Sequence, residues 1–598
     1  MRTYLYLFGL LFFSLPTFAQ SPFVPLNADY YHLIDRYEIR QGRWAEGFHS
    51  TTKPYNRQSV VQLTDSLLAH PAPDFSDTDY FNLNYLRDDS WEWVKDPLSD
   101  SARQAMAVRR QQVPTAPGDS RRPLFGVFYK KKADFYNLQT PDFDLHVSPV
   151  VNFGVGFDNV TGLPDNASAL NQQTFINTRG LEIRGSIAKK IGFYSYFADN
   201  QAFFPYYIND QSRLYLRSGQ TGGYAPGESF SKPFGSGGRG TDFLTARGYF
   251  TFNVAKIINL QFGHDRNFIG NGFRSLLLSD NAAPYLFLKL TTRLGKNIQY
   301  TNLFTELQNT QDLVVGASTL NPNKYAAMHH LSINISPKFN VGVFEAEVFS
   351  RDRLELNYLN PVIFYRFVES YRGSADNAMI GLDFKANLAT HFLFYTQFML
   401  DEFILKDIIA GNGRYTNKYA FQLGGKYIDV LNVPNLDLQV EMNLARPYTY
   451  SHITTPATGV TASQANYVHY SQPLAHPLGA NFLEGIGIVR YQNKRLSGTG
   501  TFSVMMYGTD PPGRNYGGNI LLNYDDRFRD YGNFIGQGRK TIATYADLRA
   551  SYMIKHNVFL EGRVLYRFQD SQYRPDSYTD RTASIALRWN VPYRSLVF

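Results

Sequence analysis

From about Asp144 to the C-terminus, apolar and polar positions alternate in segments of roughly ten residues between turn signals, the period of a strand with two unlike faces. In Asn435 to Ala445, the residues Leu436, Leu438, Val440, Met442 and Leu444 share one face, and Asp437, Gln439, Glu441 and Asn443 the other. A helix would scatter them. In Asn557 to Phe568, Val558, Leu560, Gly562, Val564, Tyr566 and Phe568 oppose Glu561, Arg563 and Arg567. Leu181 to Ile187 sets Glu182, Arg184 and Ser186 on one side, and Ala583 to Trp589 sets Ile585, Leu587 and Trp589 against Ser584 and Arg588. Such strands suit a closed barrel with an apolar outer wall and a polar lumen. A large soluble β-protein, with the polar faces outward and the apolar faces meeting in a core, is the competing fold.

Tyr and Phe decide between them. They crowd strand ends, as in Phe193-Tyr194-Ser195-Tyr196-Phe197 and Tyr448-Thr449-Tyr450, where the aromatic girdles of a membrane barrel lie. The pattern therefore predicts an all-β fold, a transmembrane antiparallel β-barrel. At roughly 25 residues per strand and turn it has about 18 strands, an even number of about 16 to 20. Before the barrel the period changes to that of amphipathic helices, at Asn56 to Leu68, Asp77 to Val94 and Ser99 to Gln112. Pro114 to Arg122 reads as the linker.

The extreme N-terminus sets the compartment. Met1-Arg2, an apolar run from Tyr4 to Leu15 and Pro16-Thr17-Phe18-Ala19 make a secretory signal peptide cut after Ala19. The expected division is 1–19 signal peptide, 20–140 periplasmic helical region and linker, and 141–598 barrel, in the outer membrane of a Gram-negative bacterium. No later run of 18 apolar residues offers a spanning helix. Composition fits, with 42 Tyr, 47 Phe, 46 Gly and only 18% charged residues. The absence of cysteine excludes disulfides, thiolate metal sites and a cysteine nucleophile.

Candidate chemistry is sparse. Ser279-Asp280-Asn281 matches one element of the penicillin-binding set, but Lys-Thr-Gly is missing. Gly154-Val155-Gly156 lacks the third glycine of a dinucleotide loop, and no Walker run or His-Glu-x-x-His occurs. His329 and His330 would face opposite sides of a strand, a poor metal pair. His264, His452, His469 and His476 lie near Ser or Asp without the convergence catalysis needs. The reading is of no catalytic residue, no metal and no cofactor.

Two groups suit binding instead. Arg266, Asn267, Asn271 and Arg274, with Ser279, Asp280 and Asn281, form a polar cluster in a glycine-containing stretch. They suit an anion or sugar, or equally a lumenal plug that pairs with carboxylates such as Glu182, Glu441 and Glu561. Arg446, Tyr448, Tyr450, His452, His469, Tyr470 and His476 form a Tyr- and His-rich group able to stack on sugar rings, or to make a girdle and a loop that plugs the mouth. The net charge of +8 leans toward an acidic polymer or lipid head group, and no nucleic-acid motif accompanies it.

The stretch Arg266 to Pro284, with its basic Gly-rich turn before Ser275-Leu276-Leu277-Leu278-Ser279-Asp280-Asn281-Ala282-Ala283-Pro284, resembles the signature of the capsule-assembly Wzi family. Asn360-Pro361-Val362-Ile363-Phe364-Tyr365-Arg366, Ser374-Ala375-Asp376-Asn377-Ala378 and Pro473 to Phe482 resemble its branch in gliding bacteria, including proteins of the RemB type. The resemblance implies an 18-stranded outer-membrane barrel with periplasmic helices that holds capsular polysaccharide, or serves surface assembly or motility. The implied partners are outer-membrane lipid, surface polysaccharide, the barrel assembly machinery and an unidentified motility or secretion partner. The His- and Tyr-rich loop near Thr455 to Pro477 departs from the enterobacterial pattern. A passive porin is the alternative, and an outer-membrane hydrolase a third class. The terminal Phe598 fits a barrel ending in an aromatic strand.

Overall fold

A computed structural model of the chain describes residues 22–95, 106, 116–120, 123–163, 170–212, 224–229, 231–235, 239–310, 323–350, 355–362, 364–372, 376–452, 464–594 and 596. Eighteen strands follow one another around a closed antiparallel wall, from Phe143–Thr161 to Tyr578–Trp589. Pairing of the last with the first, Val151 opposite Trp589 and Thr161 opposite Thr579, closes it. The expected transmembrane barrel is present; the soluble alternative is not.

Register follows the alternation. In Leu436–Ala445, Val440 is 51% exposed on the outer wall while Asn443, on the other face, is fully buried. In Val558–Ser571, Leu560, Val564 and Phe568 face outward, and Glu561 and Arg567 are buried inside. The tyrosines depart from expectation. In Ile191–Phe203, Phe197 points outward, but Tyr194 and Tyr196 are buried in the lumen. The Tyr194 ring stacks on Tyr249 at 5.2 Å, and Arg247 lies 4.2 Å from the centre of Tyr196. Barrels of this strand number leave space for a channel. Here part of the aromatic surplus fills it.

The two rims differ. One has tight turns, such as 188–190 and 295–297; the other carries long loops. Three helices close the tight-turn rim: α1 (Ala28–Gln41), α2 (Arg57–Ala69) and α3 (Asp77–Asp89). Asn27 caps α1, Asn56 caps α2, and Ser76 with Asp79 forms a capping box on α3, each satisfying amides the first turn leaves open. Helices expected at Asn56 to Leu68 and Asp77 to Val94 appear as α2, and as α3 followed by a 3-10 turn at Trp91–Trp93. The signal peptide and, Met106 aside, Ser99 to Gln112 lie outside the described residues.

The helix α1 is not among the expected elements, although Tyr30, Leu33, Ile34 and Tyr37 recur at helical spacing and pack on Val60, Leu63, Leu83 and Leu86 of α2 and α3; its other face is ionic. Arg36 pairs with Asp79 at 3.1 Å, Asp429 at 2.6 Å and Asp437. Arg40 pairs with Asp74 at 2.7 Å and Asp429 at 3.0 Å, and Asp35 with Lys426 at 2.6 Å. Asp29 meets Arg549 at 2.5 Å. Burial alone would raise the Asp29 carboxyl; Arg549, together with Arg588 and Arg490, outweighs it and brings the carboxyl down to about 2. Buried charges of this kind tolerate little displacement, so they fix where the helix sits.

Two chain segments leave the expected path. The last strand stops at Trp589, and the tail turns into the lumen, where the Tyr593 carbonyl accepts from Ala28 N at 3.0 Å and Arg594 donates to the Asn281 carbonyl at 2.6 Å. Phe598 lies outside the described residues. The second segment, 355–372, folds against the outer wall. Tyr300 and Asn302 both donate to the Pro361 carbonyl, at 2.7 and 3.1 Å, and Arg366 N donates to Glu345 at 3.1 Å. All three wall residues lie on the outward face, because Glu345 registers with exposed Ile380 and Tyr300 with Leu331. The strap covers these polar groups and turns Val362, Phe364, Phe367 and Tyr371 outward in their place.

Candidate functional site

The 266–284 loop folds inward and plugs the barrel. Leu276, Leu277 and Leu278 are fully buried, and Phe268–Ile269 pairs with Thr52–Lys53 from the N-terminal segment. Barrel carboxylates hold the turn. Glu441 accepts from the Phe273 and Arg274 amides at 2.7 and 3.0 Å, and Glu484 takes the Arg274 guanidinium at 3.2 and 2.9 Å. Gly272 is required there, since a Cβ would stand 2.4 Å from the Glu441 carboxylate.

The remaining members of the first cluster are committed to the same plug. Arg266 donates to the carbonyls of Ala282, at 3.0 Å, and Gly227, and pairs with Glu228 at 3.2 Å. Asn267 accepts from Lys289 at 3.0 Å, and Asn271 from Thr51 at 3.3 Å. Ser279 N donates to the Leu474 carbonyl at 2.8 Å and Asn281 to that of Pro473 at 3.0 Å. Asp280 lines a cavity beside them. Of the carboxylates expected as partners, Glu441 serves this loop; Glu561 instead takes Arg588 and Arg549, at 2.8 and 3.2 Å.

The second group is also internal. Tyr448, Tyr450, His452, His469 and His476 are buried; Arg446 and Tyr470 are half-buried. Tyr450 donates to the Leu276 carbonyl at 2.8 Å. His469 is kept neutral by burial, which holds it down to about 3. Its Nδ1 accepts from Gln308 N at 3.0 Å, so Nε2 carries the proton and donates to the Pro284 carbonyl at 3.1 Å. His476 likewise accepts from Leu478 N at 3.2 Å and places Nε2 2.6 Å from Glu484. His452 lies 3.8 Å from Glu402 and edge-on to Tyr524, and His264 faces the Ala246 carbonyl at 3.1 Å. These are structural duties. The expectation that the second group stacks its rings on sugar is corrected by its burial; residues 453–463 of its loop lie outside the described residues.

The exposed rings lie one layer above, in loop 510–538, which sequence reading passed over. It is fastened to loop 403–417 by Tyr415 N to Asp530 O, Gly532 N to Asn412 O and Asn533 N to Gly413 O, each 2.9 Å. Arg446 supports it from below through the Asn533 carbonyl at 3.1 Å, and Tyr448 through the Asn515 carbonyl at 3.0 Å. On this base Phe528, Tyr531 and Phe534 stand exposed. Arg514, Arg414 and Arg529 flank them at 5.6, 5.6 and 5.5 Å from the respective ring centres. The crest is not basic: Arg514, Arg527 and Arg529 share the loop with Asp510, Asp525, Asp526 and Asp530. No group of three or more acidic or His residues among the described ones is placed to hold a metal ion.

No family model matches the chain. No curated protein matches it either. Among solved structures it is similar to Escherichia coli Wzi, described as an outer membrane protein involved in group 1 capsule assembly and a carbohydrate binding beta-barrel. Identity is 12% and the TM-score 0.51, over 96% of this chain and 100% of that one. The likeness shows the fold. Acinetobacter baumannii OccAB2 matches at 11% identity and TM-score 0.38, over 74% of this chain and 98% of its own. Pseudomonas aeruginosa OprD matches at 9% and 0.38, over 75% and 94%.

Proposed function

We propose that this chain is a non-enzymatic outer-membrane barrel that holds polysaccharide at the cell surface, for attachment or surface assembly. In this reading it is exported by its N-terminal signal and inserted by the barrel assembly machinery. The helices and tight turns lie in the periplasm, and the long loops outside. The observation that carries the reading is a set of exposed rings, Phe528, Tyr531 and Phe534, standing on a barrel whose lumen is plugged. Rings present flat apolar faces to the C–H faces of sugars, and the flanking arginines reach hydroxyls. Each contact is weak and a polymer repeats it.

The plug weighs against a passive porin, and the committed histidines weigh against a hydrolase. The Wzi likeness agrees with carbohydrate binding. A gliding role, implied by the resemblance to the RemB branch, draws no support from a likeness of fold.

The test is binding of the detergent-extracted barrel to the host's purified surface polysaccharide. Wild type and a Phe528→Ala/Tyr531→Ala/Phe534→Ala variant would be compared, folding being checked by heat-modifiable migration. Saturable binding that the variant loses supports the reading. No binding by folded wild type would return the weight to a porin or an assembly scaffold.

A further inference from the structure

Between the plug, α1 and the C-terminal tail lies a polar cavity of about 130 Å3. Lys53, Arg274, Lys426, Arg490 and Arg594 line it, against Asp35 and Asp280. Two of these cations are neutralised, Lys426 by Asp35 at 2.6 Å and Arg274 by Glu484 at 2.9 Å. The other three make no ion pair within 4.0 Å among the described residues. Among the described residues Arg490 donates only to the Gln439 side chain, at 3.3 Å, and Arg594 to the carbonyls of Pro226 and Asn281, at 3.2 and 2.6 Å. Lys53 is 7% exposed and has no hydrogen-bond acceptor among the described residues; its ammonium lies 4.7 Å from the centre of the Phe268 ring.

This is an unusual surplus. Buried cations are costly unless an anion sits beside them, and of the carboxylates near these three, Asp35 is paired with Lys426, Asp29 with Arg549, Asp437 with Arg36 and Glu228 with Arg266, which leaves Asp280 on the lining. Burial, helped by Lys426 and Lys385, holds the Lys53 ammonium down to about 8 against the upward pull of Asp35 and Asp280. The volume would take about four waters, which is room for a tetrahedral oxyanion and little more.

We propose that this cavity binds a small oxyanion of the phosphate type through Lys53, Arg490 and Arg594. Because Lys53 belongs to the N-terminal segment, Arg490 to the barrel wall and Arg594 to the C-terminal tail, the anion would tie three separate parts of the chain together inside the lumen.

The full-length barrel in detergent would be dialysed to equilibrium against radiolabelled inorganic phosphate, with sulfate and acetate as competitors. Saturable uptake of one phosphate per chain is expected, displaced by sulfate and poorly by acetate, and weakened on the order of tenfold in Lys53→Gln and in Arg490→Gln. Arg514→Gln on the crest should leave it unchanged. If Lys53→Gln fails to fold, Arg490→Gln on the wall decides. Absence of saturable uptake by folded wild type would overturn the proposal. So would uptake that Arg490→Gln leaves intact, or acetate competing as well as sulfate.

Discussion

Plug and crest use the same alphabet of Arg, Tyr and Phe and do opposite things with it. In the plug, Arg274 and His476 converge on one carboxylate, Glu484, and the tyrosine hydroxyls end on backbone carbonyls. In the crest, three rings stand in solvent and Arg514 reaches outward beside one of them. Residue type does not tell a binding surface from a filler. What tells them apart is exposure: in the crest Arg414 and Arg529 are also engaged, with Asp407 and Gln537, but the rings beside them face solvent. Charge divides the same way: the crest loop balances its arginines with aspartates, while unpaired cations gather in the lumen around Lys53.

The largest effect should come from removing the plug. Replacing 270–281 with a short Gly-Ser link deletes the buried leucines and the turn held by Glu441. Planar-bilayer recordings should show large conductance steps in the variant and little conduction in wild type; large steps in wild type would end the contrast between a sealed lumen and an active crest. Next in size is Glu484→Ala, which removes the carboxylate that takes the Arg274 guanidinium and the acceptor of His476. Breaking a buried pair costs about 3–5 kcal/mol, so the temperature of heat-modifiable migration should fall clearly. An unchanged temperature would mean that the plug does not depend on its ionic anchor.

The barrel was legible because alternation at Leu436–Ala445 and Val558–Ser571 reports a wall with two media, and period two survives any loop arrangement. The plug was half legible. Arg266 to Asn281 reads as a polar stretch able to fill a lumen, but the partner Glu484 is more than two hundred residues from Arg274, and spacing carries no such distance. The crest was not legible: Phe528, Tyr531 and Phe534 fall in a loop without periodicity, and only the fastening of 403–417 to 510–538 makes them a surface. The helix α1 was legible in part: Tyr30, Leu33, Ile34 and Tyr37 make an apolar stripe at helical spacing, whereas the charges that Asp29, Arg36 and Arg40 meet lie on distant strands and turns that spacing cannot reveal.

That matching gives the third prediction. The Asp29 carboxyl is held at about 2 against an ordinary 3.8, and the Asp35 and Asp89 carboxyls also lie below that value; burial, the largest single influence, acts upward on each, but the cations around them together outweigh it: Arg549 and Arg588 at Asp29, Lys426 and Lys53 at Asp35, Arg57 and His556 at Asp89. A depressed carboxylate stabilises the docked form in full above its unfolded value and loses that contribution as pH falls through the folded one. Hydrogen exchange of α1 should therefore stay slow above about pH 4 and quicken between about pH 4 and 2, while the barrel strands remain protected. Uniform loss of protection across helix and barrel would show that the helical region is not a separately titrating part.

The smallest effect tests the crest alone. Tyr531→Ala removes one exposed ring, so stability should move by less than about 0.5 kcal/mol. If the rings stack on sugar, losing one should weaken polysaccharide binding by about 1 kcal/mol, roughly fivefold. Because the loop's arginines are matched by Asp510, Asp525, Asp526 and Asp530, raising salt should change the affinity little. Steep salt dependence with an unaffected Tyr531→Ala variant would mean that the polymer is held by charge, which among these two regions would place it nearer the lumenal cations than the crest.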